Sequence, residues 1–480
     1  MTKLLLSIFI TFNLCSASSM AQDATAQRII AIGKADPQVM QHLDILSNRF
    51  GGRTTGSDAY THAASWAKNQ LNQWGKQVGM NAELEIAGQM PLGFNRGPWF
   101  GRILDASPQT LNFATPSYSS GTKGVQTGIA MIAPTNIADI EKRANEFKGA
   151  WVLISGENAG GRDGELIYKA KTLTQKLIEI GALGTIQSAE EPIHISTSAP
   201  TSWENLPALP DIKLATSHYL AIQKRIQQGE KVILEFDIRN WFYPGPVNYH
   251  NVIATLPGSD KADEIIVLGA HLDSFDGGTG AADNGAGFAT VMEAMRLLAQ
   301  AGVKPRRSIV MIGFAGEELG LKGAYAYVES HAKDLPKILM MLNRDSAPGA
   351  ITGITIPSMW KNSFERVSLD LQGVHPIFEF EAVINDNARD SNAAFRGNSG
   401  SDDAAFTKKS VPTPRLITST DFDYTQVHHT VLDTYEKVLP FRTAQQYSAI
   451  VMALIAYEIA NAPEVLNTEG YYLPVTDKQR

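Results

Sequence analysis

Cysteine is nearly absent: the 480 residues include one, Cys15. A single thiol cannot close an intramolecular disulfide, and it cannot build a thiolate metal cluster. An excess of positive charge is also missing. Lys and Arg number 42 against 49 Asp and Glu, for a formal net charge of −7. Nucleic-acid binders neutralise phosphates with a basic surface, so no nucleic-acid partner is expected. No apolar run approaches the roughly 20 residues of a membrane-spanning helix, so no membrane span is expected either. Charged residues make up 19% and hydrophobic residues 44%. That balance is ordinary for a globular chain and disfavours disorder, collagen and coiled coil.

What is present begins with turn formers: 40 Gly and 23 Pro point to many tight turns rather than a bundle of long helices. Length is a soft prior for about three domains of roughly 150 residues. The N-terminus has the three regions of a secretion signal: Lys3, an apolar core from Leu4 to Leu14, and small residues at Ser19 and Ala21. Cleavage after Ala21 would remove the sole cysteine and send the chain to a periplasm or to the outside. A buried N-terminal helix is the plainer alternative. Cys15 follows Leu14 rather than a small residue, so it makes a poor lipid-attachment site.

Residues 25–87 look helical, with a break at Arg49–Arg53 and Thr55-Gly56-Ser57. Short strands and turns follow from Pro91 to about Tyr118. From Gly121 to about Asn240 strand-like runs (Ile129–Ile132, Trp151–Ile154, Leu183–Ile186, Val232–Phe236) surround one helix near Leu173–Ile180. From Tyr249 the rhythm alternates. Ile265–Leu268, Ser308–Ile312 and Ile338–Leu342 are continuous apolar strands, separated by a helix over Gly285–Ala301 and another from Leu319. Tyr447, Val451, Leu454 and Ile455 mark a closing amphipathic helix. Apolar strands alternating with helices predict an α/β fold with a mainly parallel central sheet covered by helices on both faces.

The polar residues of interest follow those strands. His271-Leu272-Asp273 follows the first, Asp283-Asn284-Gly285-Ala286-Gly287 comes shortly after, Glu317-Glu318 follows the second, Asp345 the third, and His428-His429-Thr430 lies near the end. In an open α/β sheet the carboxyl ends of strands meet at one crevice. His271, Asp283, Glu317, Glu318 and Asp345 should therefore meet in space. Packed carboxylates repel unless a cation neutralises them. Imidazole plus carboxylate without thiolate suits zinc or a similar divalent ion. Two metals need a bridging carboxylate, one imidazole and one further carboxylate each, and one acid is then left for protons. Each element alone is ordinary: Asp-Asn-Gly is a common turn, and paired glutamates often start helices. Their joint occurrence at successive strand ends favours the metal reading.

These motifs resemble the di-zinc exopeptidases related to bacterial secreted aminopeptidases, and especially the plasma glutamate carboxypeptidase branch. Successive spacings of 12, 35, 27 and 84 residues connect His271, Asp283, Glu318, Asp345 and His429. The resemblance implies that Asp283 bridges two Zn2+ ions, His271 and Asp345 complete one site, and Glu318 and His429 the other. It implies that Glu317 is the general base and that Asp273 orients the His271 ring. His429 is chosen over His428 because the family ligand precedes Thr or Ser; His428 is left an oxyanion or structural role. Two departures stand out: Ser401-Asp402-Asp403 where many relatives carry Ser-Asp-His, and Ala282 in place of an acid. Neither removes a ligand. The resemblance also implies a layout: signal peptide 1–21, catalytic part 22–118, a protease-associated insert of mixed β/α structure 119–245, and a metal-binding remainder 246–480. The insert could shape the cleft, gate it or mediate homodimerisation. The implied activity is exopeptidase action on short peptides or dipeptides, as aminopeptidase or dipeptidase, with carboxypeptidase specificity as the alternative. A zinc-dependent glutaminyl cyclase and a non-catalytic binding protein on the same scaffold are the competing classes.

Overall fold

A computed structural model describes residues 23–134, 137–157, 164–197, 202–385 and 400–466. The expected signal segment, residues 1–21 with Cys15, lies outside the described residues. The central sheet has five strands in the spatial order Asn81–Asn95, Trp241–Leu256, Arg307–Phe314, Lys261–His271 and Ile338–Asn343. The last three are mutually parallel, and their register sets His271 beside Phe314 and Gly269 beside Asn343, so their carboxyl ends lie level.

The expected mainly parallel sheet is in fact mixed. Asn81–Asn95 pairs antiparallel with Trp241–Leu256, which in turn pairs antiparallel with Arg307–Phe314. The physical reason is visible in the sequence of the outer strand. Glu83 is exposed and Leu84 half-buried, as a strand facing water on one side requires, and the alternation breaks at the exposed Ile86, beside a register shift at Ile86/Gly88. The same alternation ends the helical N-terminal region at Gly75, the last residue of the helix Asp58–Gly75, short of the expected residue 87.

Side-chain alternation along the parallel strands builds two cores. Ile266, Leu268 and Ala270 point to one face with Ile309 and Met311. Val267 points to the other with Val310, Ile312 and Phe314. The larger core lies under the helices Ala24–Ala35, Asp58–Gly75, Ala286–Gln300 and Arg442–Asn461; the smaller lies under Lys322–Ser330 and Asp403–Thr407. Burial on both faces explains why these strands are continuous apolar runs. No described helix is long and apolar enough to cross a membrane.

Between the two outer strands, Trp99 to Ile238 form a separate eight-stranded sheet. It has its own apolar core around Trp151, Leu153, Leu234 and Phe236. Its helix Gly164–Ile180 encloses the expected one.

One polar cluster is buried inside the larger core. Glu293 is fully enclosed and accepts from Arg296 Nε at 2.6 Å, while His42 Nε2 lies 3.1 Å away and Arg296 also donates to Asp36 at 3.0 Å. Burial disfavours the charge, but Arg296 and His42 outweigh it and hold the carboxyl down at about 2. Removing one member strands the others. Glu293→Ala is expected to lose about 3–5 kcal/mol in urea unfolding. Because the folded value lies below the ordinary one of 4.5, this stabilisation is present above that value and lost as pH falls toward 2. A variant as stable as the parent, with the same acid-unfolding curve, would refute this account.

Candidate metal centre

Three parallel strands deliver the site. His271 ends one, Asp345 lies two residues beyond the next, and Glu317 and Glu318 follow the third. Glu317 and Glu318 do not begin a helix, which starts at Lys322 rather than at Leu319. They sit on a turn bounded by Gly316 and Gly320, whose φ angles of 68° and 97° are left-handed. Glycine adopts those angles without steric cost, so it ends the strand and delays the helix.

Asp283 sits at the centre. One of its carboxylate oxygens is 3.4 Å from His271 Nε2, and the other is 3.5 Å from His429 Nε2. His271 Nε2 is also 3.5 Å from Asp345, and His429 Nε2 is 2.9 Å from Glu318. His428 is more distant, at 4.0 Å from Asp283, half exposed and stacked on the His429 ring. Three triads bring their ligand atoms within 4.8 Å of one another: His271–Asp283–Asp345, His271–Glu317–Glu318 and Asp283–His428–His429.

The surrounding bonds explain several motif residues. Asn284 donates to the Arg344 carbonyl at 2.9 Å, tying the Asp283 loop to the loop of Asp345. A Cβ on Gly287 would lie 2.2 Å from that carbonyl, so only glycine fits there. The nearest His271 Nδ1 contact, at 3.0 Å, is the main-chain oxygen of Asp273, with the expected carboxylate farther off at 3.6 Å. That carboxylate also accepts from Thr55 Oγ1 at 3.0 Å and from the Glu317 N–H at 3.2 Å. It thus braces the glutamate turn.

Two structural supports escaped the sequence reading. Asp433 accepts from the N–H groups of Ala282 and Asp283, at 2.6 and 3.2 Å. Arg53 is wholly buried and donates to the carbonyls of Leu272, Thr279 and Gly280 at 2.8–3.0 Å. Both lie far in sequence from what they hold, and neither sits in a spacing pattern. A third contact comes from the loop that follows the second sheet's strand Gly184–Ala189. The Ile195 N–H donates to the His429 carbonyl at 2.7 Å, and the Val431 N–H donates to Ile193 at 3.1 Å. Phe275 packs on the His429 ring at 4.2 Å. His429 itself is left-handed, at φ 57°, a conformation that needs such bracing.

The electrostatics ask for a cation. Burial, and then Asp283, push Glu318 well above the usual carboxylate range, and its buried Oε1 has no hydrogen-bond partner. Burial, and then Asp345, raise Glu317 to about 8. Burial works against protonation of His271, but Asp345 and Glu317 outweigh it and raise its pKa. A divalent ion would relieve this crowding, and a histidine–carboxylate donor set fits zinc. The cluster opens into a cavity of about 810 Å3 that reaches Asp403, Arg415 and Tyr424.

Residues 251–455 match Peptidase family M28. Carboxypeptidase Q of Mus musculus is 22% identical over 439 residues, covering 90% of this chain and 88% of that protein. A peptidase M28 precursor from Shewanella amazonensis superposes with a TM-score of 0.59 at 25% identity, over 92% of this chain and 97% of that one. BSAP, a zinc aminopeptidase from Bacillus subtilis, gives a TM-score of 0.52 at 17% identity over 88% and 94%, a likeness of fold. The resemblance read from the motifs is upheld as a likeness: residues 251–455 match peptidase family M28, and the relatives of this chain support a metallopeptidase.

Proposed function

We propose that this chain is an exported exopeptidase holding two zinc ions, which removes the N-terminal residue of short peptides or splits dipeptides. The observation that carries it is the division of Asp283, one carboxylate oxygen toward His271 and the other toward His429. His271, Asp283 and Asp345 would hold one ion; Asp283, Glu318 and His429 would hold the other. Bound zinc supplies a lowered pKa for water and polarises the scissile carbonyl.

The remaining work belongs to the protein. Glu317 takes the proton from the attacking water and hands it to the departing amine. Its main-chain N–H is fixed by Asp273, so the base is held on a braced turn. The His271 ring is oriented by the Asp273 carbonyl, which selects the tautomer that leaves Nε2 free. His428 lines the cavity beside His429 and is assigned to the developing oxyanion. Export rests on the n-region, apolar core and small residues before Ala21.

A tripeptide of three different residues tests the direction of attack. Zinc-loaded protein should release the N-terminal residue first and then split the dipeptide, as read by mass spectrometry. Release of the C-terminal residue first would make it a carboxypeptidase, and no release at all would sink the peptidase reading.

A further inference from the structure

We propose that Arg415 binds the free terminal carboxylate of a short peptide and so sets the length of substrate that this site accepts. The inference rests on the peptidase reading above. The described cavity wall carries five carboxylates, those of Asp283, Glu317, Glu318, Asp345 and Asp403, and a single Lys or Arg, Arg415. A peptide carboxylate entering this cavity is repelled by every acid that the metals do not neutralise. Arg415 offers it the one strongly attractive position on the described wall.

The arginine is built for a guest. Its main chain is anchored, because the Thr355 N–H donates to the Arg415 carbonyl at 2.9 Å, next to the strand Leu416–Ser419. Its side chain is exposed, and no described carboxylate or carbonyl holds the guanidinium. Arginines that support the site from outside the cavity wall are held by protein partners: Arg53 by main-chain carbonyls, Arg344 by Gly349 and Thr418, and Arg96 by Asp276. A guanidinium meets a carboxylate with two parallel N–H···O bonds, a geometry an amide cannot reproduce with charge. A long peptide, whose carboxylate lies far from the scissile bond, would forgo this contact.

The test compares Ala-Leu, its C-terminal amide and Ala-Glu-amide, with zinc-loaded parent, Arg415→Gln and Arg415→Lys. In the parent the free acid is favoured. Arg415→Gln should raise KM for Ala-Leu about ten-fold with a much smaller change in kcat, so the acid-to-amide ratio of kcat/KM falls by that factor. Arg415→Lys should restore part of the ratio. Binding of Ala-Leu to Glu317→Gln protein, read by calorimetry, should weaken by the same factor when Arg415→Gln is added. An acid-to-amide ratio unchanged by Arg415→Gln overturns the assignment, and so does a loss confined to Ala-Glu-amide. If the parent cleaves neither acid nor amide, the peptidase reading itself fails and this inference fails with it; cleavage with an unmoved ratio defeats this inference alone.

Discussion

Glu317→Gln protein is expected to retain its zinc and to lose about 10³-fold in kcat. Glutamine keeps the size of the side chain and the main-chain N–H bond to Asp273, so the turn should persist. What it lacks is a basic oxygen. Glu317 is placed for proton transfer by its turn, which Asp273 holds beside the proposed ligands. Metal content by atomic absorption and turnover of Ala-Leu decide the matter together. Turnover at the parent rate would remove Glu317 from the mechanism, and loss of zinc would make it a ligand instead.

Asp283→Ala is expected to be more severe, because it removes a donor from both proposed sites at once. The parent should bind two zinc ions per chain, and the variant should fail to retain either after dialysis against a mild chelator. Activity should then fall by more than the loss of a base alone, beyond about 10⁴-fold, since the chemistry that zinc supplies is lost as well. The comparison with Asp345→Ala is informative. Asp345 faces His271 but not His429, so its removal should cost one ion and spare the other. Loss of only one ion from Asp283→Ala would show that the carboxylate does not bridge.

Much of this site was legible in the sequence because its parts sit at strand ends. Ile265–Leu268 and Ser308–Ile312 are strongly apolar, and whatever follows such strands gathers at one edge of the sheet. His271, Asp283, Glu317, Glu318, Asp345 and His429 followed from that rule and from the family resemblance, and the structure brings them together. The sheet's outer half was harder to read. Asn81–Asn95 and Trp241–Leu256 pair across 145 intervening residues, and no local pattern announces a partner that distant. Arg53 and Asp433 were invisible for a related reason. Each acts on main-chain atoms, which exist at every position and leave no mark on composition. Asp273 shows a finer limit: its place beside His271 was correct, but whether its carbonyl or its carboxylate faces the ring depends on a main-chain turn.

The main-chain hydrogen bonds between residues 193–195 and 429–431 tie the segment that carries the second sheet to a proposed ligand, alongside the side-chain bonds Ser117–Asp276 and Tyr118–Thr55. Such a joint is a thermodynamic link that acts in both directions. If an ion at His429 strengthens these bonds, the bonds strengthen ion binding by the same factor. A substitution that disturbs residues 193–195 should therefore change how firmly His429, far away in sequence, grips its ion.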